Sequence, residues 1–327
     1  MKQNMNIDVS IVIICMNKPE NLRVCLGSIK KYTRISYEVF VVAYLFSEDK
    51  LNTIRQEFPW VHFIESNEIR GFSENNNLAL RMAKGKYCFV LNDDTEMKMP
   101  VVDMLFNTIE NMPEKVVVIS PKTLYPDGTV QFCGRPKSTV WTYVLGKFKL
   151  YNEKKDKRWS NQKGLFKSYN IIGAAFMIKT DVFRIIGWFD EYYFFSPEDK
   201  AVSTKLNNMG YECWVDENVG IVHYEGMTGL NKSKPSKMQM ATKPAQSKGT
   251  VYFYAGEKKG TILYWLLCLL EFLSCSVLYA YYRLLSIIHK ENNAYPIILG
   301  CVKNICESIF TNKTPKEIFL NYYRKIE

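Results

Sequence analysis

The sequence predicts an α/β protein: a doubly wound, mostly parallel sheet followed by a hydrophobic helical appendage. Three observations carry this. Short apolar runs alternate with helical stretches, the pattern of strands joined by helical crossovers. The runs are rich in β-branched residues and nearly unbroken by polar ones, as strands buried on both faces are. Near the C-terminus, Thr261 to Tyr282 is largely apolar and contains one formal charge, Glu271.

The elements follow in order. Val9 to Cys15 reads as the first strand, and Pro19-Glu20 open a helix running through Ile29. Val39 to Ala43 and Val61 to Ile64 are the next strands, separated by a helix over Leu51 to Phe58. Ser73 to Ala83 fits a helix, and Tyr87 to Leu91 is the fourth strand. Crossovers between parallel strands should be right-handed. Val116 to Ser120 is a further strand, and Pro126-Asp127-Gly128 marks a turn between short extended segments. Tyr151 to Lys167 is polar and lacks periodicity, which predicts a mobile loop. Ile171 to Ile178 reads as a strand, and Thr180-Asp181 can cap a helix over Val182 to Ile186. Glu198-Asp199 open a helix, Lys200 to Met209, that ends at Gly210. Cys213 to Val215 and Val219 to Val222 read as two short strands leading to His223. Asn231 to Lys248, rich in Lys, Ser and Pro, predicts a flexible loop. Ile297 to Phe310 has the spacing of an amphipathic helix.

Composition bounds the function. The chain has 327 residues, 47% of them hydrophobic and 14% aromatic, enough for a large core and too apolar for a disordered protein. Its nine cysteines lack zinc-ligand or C-x-x-C spacing and fall mostly in apolar runs, which fits buried thiols in a reducing compartment. Met1 to Asp8 has no apolar leader core, so export is not expected. The net charge of +10 suits phosphorylated substrates or anionic lipid. No zinc finger, aromatic RNA-binding motif or basic heptad region is visible, so nucleic acid is not an expected partner.

Asn92-Asp93-Asp94-Thr95 follow the fourth strand directly. Ligands bind at the carboxyl ends of strands in open α/β sheets. Neighbouring carboxylates repel unless a cation or a proton lies between them, and their oxygens suit Mg²⁺ or Mn²⁺ shared with a substrate diphosphate. Solvated loop acids remain the alternative. Glu198-Asp199 can cap a helix or supply a general base. His223, at a strand exit, can be structural or a metal ligand.

Three stretches, VSIVIICMNKPENLRVCLGSI (Val9 to Ile29), RGFSENNNLALRMAKGKYCFVLNDDTE (Arg70 to Glu96) and GAAFMIKTDVFRIIGWFDEYYFFSPEDK (Gly173 to Lys200), followed by HYEG (His223 to Gly226), resemble family-2 glycosyltransferases of the GT-A fold. The bacterial rhamnosyltransferase-like branch is the nearest in pattern. The resemblance covers roughly Val9 to Gly229. It implies a GT-A domain over 1–255, with a Rossmann-like nucleotide-sugar half (1–100) and an acceptor half (101–255). Residues 256–327 are expected to form a helical region, with association with a membrane one of its open arrangements. It further implies that Asp94 and His223 hold Mg²⁺ or Mn²⁺. Asp199 would be the catalytic base, with Glu198 positioning donor or acceptor. Asn17, Arg70, Asn76, Asn92, Asp93 and Asp94 would bind the donor, a dTDP- or UDP-sugar. Gly173, Trp188 and Asp190 would line the acceptor side. The implied reaction is inverting sugar transfer to a growing glycan or a polyprenyl-diphosphate-linked acceptor in cell-surface polysaccharide biosynthesis. It would take place in the cytoplasm at the inner face of the membrane.

The sequence departs from the family at Ala43, where relatives place an Asp, at Ala201, where many carry another, and at Ala79, where a glycine is usual. These departures keep a second class open, a non-catalytic sugar-nucleotide or glycan-binding subunit. A nucleotidyltransferase is a third, though no Walker-type loop is present. The appendage leaves three arrangements open: a helix lying on an anionic membrane surface, packing within the chain or between copies in a homo-oligomer, and a membrane span. Glu271 in mid-helix, on a weakly polar stripe with Tyr264, Cys268 and Cys275, disfavours the span.

Overall fold

The computed structural model describes residues 7–153, 156–224, 236–289 and 294–325. The first half alternates strands and helices: β1 (Val9–Met16), α1 (Pro19–Tyr32), β2 (Tyr37–Tyr44), α2 (Glu48–Glu57), β3 (His62–Ser66), α3 (Phe72–Leu80) and β4 (Tyr87–Asn92). The second half adds β5 (Thr95–Met97), α4 (Val101–Glu110), β6 (Val116–Leu124), β7 (Val130–Phe132), α5 (Val140–Lys147), α6 (Lys157–Ser160), β8 (Leu165–Ser168), β9 (Ala175–Lys179), α7 (Thr180–Ile185), α8 (Glu198–Asn208) and β10 (Glu212–His223). Four helices follow: α9 (Gln239–Tyr254), α10 (Ile262–Ile288), α11 (Ala294–Ser308) and α12 (Pro315–Tyr323).

The strands form one sheet in the order β3-β2-β1-β4-β9-β6-β10-β5, with β7 on β6 and β8 on β10. β3, β2, β1 and β4 are parallel, β9 runs antiparallel to both β4 and β6, and β10 is parallel to β6. Side-chain alternation divides the core. Ile11, Ile13, Val41 and Phe89 pack beneath α1, α2 and α4, while Val12, Val42, Cys88 and Val90 pack beneath α3, α7 and α8. Both faces are covered, which is why the strands read as continuous apolar runs. α1 shows the matching helical period: Leu22, Cys25, Leu26 and Ile29 are buried.

Four expectations are corrected. Tyr151 to Lys167 is not simply a loop: it contains α6 and most of β8, whose main-chain groups are satisfied by pairing with β10. The strand read from Ile171 begins at Ala175, after a turn in which Ala175 N–H donates to Ile172 O. The two short strands before His223 are one strand, β10, with a register shift between Asp216 and Gly220. The loop expected over Asn231 to Lys248 is helical from Gln239, and 231–235 lie outside the described residues.

That last correction has a physical reason. Pro244 sits inside α9 and cannot donate to Met240 O. Asn304 of α11 donates its side-chain amide to that carbonyl instead, at 2.8 Å. Lys248 is buried and donates to Ile309 O at 2.7 Å and Thr311 O at 2.5 Å, beyond the end of α11. The polar residues that read as a loop are therefore partnered inside a helix bundle.

Candidate active site

Main-chain pairing builds the first part of the site. β4 delivers Asn92, Asp93 and Asp94 at its carboxyl end, and β5 turns back at once to pair with β10 in the register His223↔Thr95. Tyr224 N–H donates to Asp94 O at 2.9 Å. His223 Nε2 thereby comes to lie 3.3 Å from Asp94 Oδ1. Asp94 is buried, and its Oδ1 has no hydrogen-bond partner. On the far side of the ring, His223 Nδ1 lies 2.7 Å from Gln131 Oε1 of β7. An amide oxygen can only accept, so Nδ1 carries the proton and Nε2 presents its lone pair. Asn92 Nδ2, 3.4 Å from Nε2, agrees with that tautomer.

A buried, unpartnered carboxylate oxygen beside an imidazole lone pair fits a divalent cation. Among the described residues no third His, Cys, Asp or Glu joins the pair. Mg²⁺ and Mn²⁺ sites of this kind take their remaining ligands from water and substrate phosphates, so two protein ligands are sufficient. Asp93 points elsewhere. It accepts from Asn21 Nδ2 at 3.2 Å on α1, and burial pushes its carboxyl up to about 6.

The second part is built on α8. Asp199 Oδ1 accepts from Lys200 N–H at 2.7 Å, and Arg135 donates to Oδ2. Arg135 also donates to Glu153 Oε1 at 2.6 Å and to Ile171 O at 2.9 Å. Lys200 Nζ closes the network on Glu153 Oε2 at 3.0 Å. Burial alone would raise the Asp199 carboxyl, but the Arg135 and Lys200 charges outweigh it and hold it below the usual range. Glu198 goes the other way: burial, then the Asp199 charge, pushes it above the usual range. Its carboxylate accepts from Ser196 N–H.

The turn before β9 joins the two parts. Asn92 N–H donates to Ala174 O at 2.9 Å, and a Cβ placed on neighbouring Gly173 would lie 3.5 Å from the Asp199 side chain. Gly134 makes the approach of Arg135 possible. Its φ is +88°, and a Cβ there would sit 2.6 Å from the Phe166 ring.

The remaining predicted residues are distributed more widely. Asn17 has a φ of 52° and accepts from Ser47 N–H at 3.2 Å, tying the end of β1 to the start of α2. Arg70 donates to Ser66 Oγ at 3.1 Å and to Glu68 Oε2 at 2.8 Å, near the end of β3. Asn76 is buried, and its amide donates to Phe72 O within its own helix. Trp188 and Asp190 line a cleft of about 300 Å³ with Arg81, Lys205 and Glu257. Neither Asp94 nor Asp199 lines that cleft, which lies against Ala201 and Val202 of α8. Ala43 is buried in the sheet core, and Ala201 packs with Tyr193 and Phe253 of α9. A carboxylate at either position would enter an apolar contact.

Arg135, Glu153 and Gln131 were not legible as site residues. Each reaches the site from a segment distant in sequence, and no local pattern marks them.

Comparison with known proteins agrees with this architecture. The family model for glycosyl transferase family 2 matches residues 10–185, more than half of the chain. The O-antigen biosynthesis protein RfbC of Myxococcus xanthus is 23% identical over 221 residues, 66% of this chain. The chain spans 17% of that relative's length. The crystal structure of GalNAc-T7 with UDP, GalNAc and Mn²⁺ superposes with a TM-score of 0.53 at 15% identity, covering 72% of this chain and 47% of that one. The mannosyltransferase PcManGT from Pyrobaculum calidifontis, in complex with GDP-Man and Mn²⁺, gives a TM-score of 0.51 at 14% identity over 99% of this chain and 81% of that one. The mixed sheet is thus a GT-A fold, and the chain belongs to glycosyl transferase family 2.

Proposed function

We propose that the enzyme transfers a sugar, with inversion, from a nucleotide-diphosphate donor to a lipid-linked or growing glycan acceptor during assembly of a cell-surface polysaccharide. The observation that carries the reading is Asp94 Oδ1, buried and unpartnered, 3.3 Å from His223 Nε2 at the carboxyl end of the central strands. Asp94 and His223 would hold Mg²⁺ or Mn²⁺; when bound, the ion neutralises charge on the leaving diphosphate. Both structural neighbours were crystallised with Mn²⁺ and a nucleotide or nucleotide sugar, which supports that donor class. A dTDP- or UDP-sugar is the proposed donor, with Asn92 and Arg70 on the donor side. The catalytic unit spans 1–255, and 256–327 carry the membrane-associating helices at the cytoplasmic face.

Asp199 acts as the base. Arg135 and Lys200 keep it ionised, so it is ready to accept a proton without waiting to lose one. As the acceptor oxygen bonds to the anomeric carbon it becomes acidic, and its proton passes to Oδ1, which retains a lone pair beyond its bond from Lys200 N–H. One displacement inverts the centre without a covalent sugar intermediate.

A panel of nucleotide sugars, with and without Mn²⁺, tests the reading. One donor should bind in a metal-dependent way and turn over slowly. Asp199→Asn should cut transfer by about 10²–10⁴-fold with donor affinity preserved. Unchanged transfer in that variant rules out the base assignment. A second reading, a non-catalytic sugar-nucleotide-binding subunit, is favoured by the buried Ala43 and Ala201. Tight donor binding with no turnover under any condition would establish it.

A further inference from the structure

The helix α10 has two unlike sides. Tyr264, Cys268, Glu271 and Cys275 are buried against the rest of the molecule. Glu271 accepts from Tyr143 Oη at 2.7 Å and Ser247 Oγ at 2.6 Å, and pairs with Lys147. On the other side, Ile262, Leu266, Leu269, Leu273, Val277 and Leu284 are all exposed. Their spacings of three, four and seven residues keep them on one face. A helix of 27 residues extends about 40 Å at its regular rise, so this is a continuous apolar stripe far beyond the scattered apolar residues of an ordinary surface. The only formal charge between Ile262 and Tyr282, Glu271, is turned inward. Basic residues bound the stripe: exposed Lys258 and Lys259 before it, exposed Arg283 and His289 after it. α5, fastened to α10 through Tyr143 and Lys147, exposes Trp141 and is followed by exposed Phe148 and Lys149.

We propose that this face of α10 is an in-plane docking surface for an anionic lipid bilayer. The stripe sits in the headgroup boundary, and the flanking cations meet the lipid phosphates. Charge selects this occupant over a second copy of the chain. Pairing two α10 helices antiparallel sets Lys258 and Lys259 against Arg283, and pairing them parallel sets each cation against its like. A bilayer of anionic headgroups neutralises both ends at once. A span is disfavoured by the ties of Glu271 to α5 and α9, which hold the helix along the protein. This inference deepens the lipid-linked-acceptor reading and rests on it only for its purpose.

The test is sedimentation of the full-length protein with vesicles of phosphatidylcholine, with and without phosphatidylglycerol. No sugar transfer is read, so failure here is distinct from failure of the enzymatic reading, which would appear as absent donor turnover with vesicle binding intact. The protein should pellet with the anionic vesicles, and about tenfold less with neutral vesicles or at high salt. Leu266→Glu/Leu273→Glu should lose vesicle binding while keeping its melting temperature and its donor hydrolysis, because both side chains are exposed. Alkaline carbonate should release the bound protein. Three results overturn the proposal: no binding to anionic vesicles, carbonate resistance, or a stable dimer that the same double variant dissociates.

Discussion

Arg135 sets the charge state of Asp199. Its guanidinium contacts both Asp199 and Glu153 and offsets the burial that would otherwise favour the protonated acid. Arg135→Met should therefore raise the Asp199 pKa. At a given low pH less of the base is then ionised, so the acid limb of the transfer profile moves up by about 1–3 pH units. Arg135→Lys should restore most of the wild-type profile, a recovery that a merely structural role would not produce. Gln131 acts one step behind the proposed metal pair, by accepting from His223 Nδ1 and leaving Nε2 unprotonated. Gln131→Leu should weaken Mn²⁺ binding by about 10–100-fold, measured by calorimetry, with the melting temperature of the metal-free protein little changed. Asp94, His223 and Asp199 were candidates in the sequence because each lies at a strand or helix end, where local pattern marks position, and matches a motif of the family. Arg135 was not, because at a separation of 64 positions from Asp199 no signal in the chain shows that the two meet.

At the scale of elements, α9 shows how a helix survives an internal proline. Asn304 supplies the hydrogen bond that Pro244 cannot, so removing it takes from Met240 O its donor in a partly buried contact. Asn304→Ala should cost about 1–3 kcal/mol, read by denaturant unfolding. Pro244→Ala restores the missing N–H, and in that background the cost of Asn304→Ala should shrink markedly. An undiminished cost would show that Asn304 acts through packing instead. The same pair explains why this stretch looked like a loop. Proline and serine are turn signals by propensity, and propensity yields to tertiary hydrogen bonds. The strands β1, β2 and β4 were legible for the converse reason, since burial on both faces leaves an apolar run that needs no distant information.

At the scale of the whole molecule, β10 holds the far side of the sheet together, pairing with β5, β6 and β8. Its first residue, Glu212, accepts from Trp214 Nε1 and Lys167 Nζ at 3.0 Å each, and its carboxyl is held down to about 2. The unfolded chain takes up that proton near 4.5, so between 4.5 and about 2 the unfolded state binds more protons than the folded one. The contribution of Glu212 is present above that window and is lost as pH falls through it. Glu212→Gln should lower stability at neutral pH by about 1–2 kcal/mol, after allowing for screening by the partly exposed lysines, and should flatten the acid limb of stability against pH. An unchanged limb would mean that neither Trp214 nor the lysines hold the Glu212 carboxyl down.

The sequence by itself determined the α/β class, the parallel core, the family and the order of its motifs. These depend on burial and on local turn chemistry, and both leave periodic or punctuated patterns along the chain. Only the tertiary structure decided that His223 faces Asp94, because that follows from the pairing of β5 with β10. Only it decided that Arg135 clamps Asp199, and that Glu271 turns inward while the apolar side of α10 faces out. Those outcomes depend on which distant segments share a contact. The spacing of residues along the chain carries no record of contacts made across it.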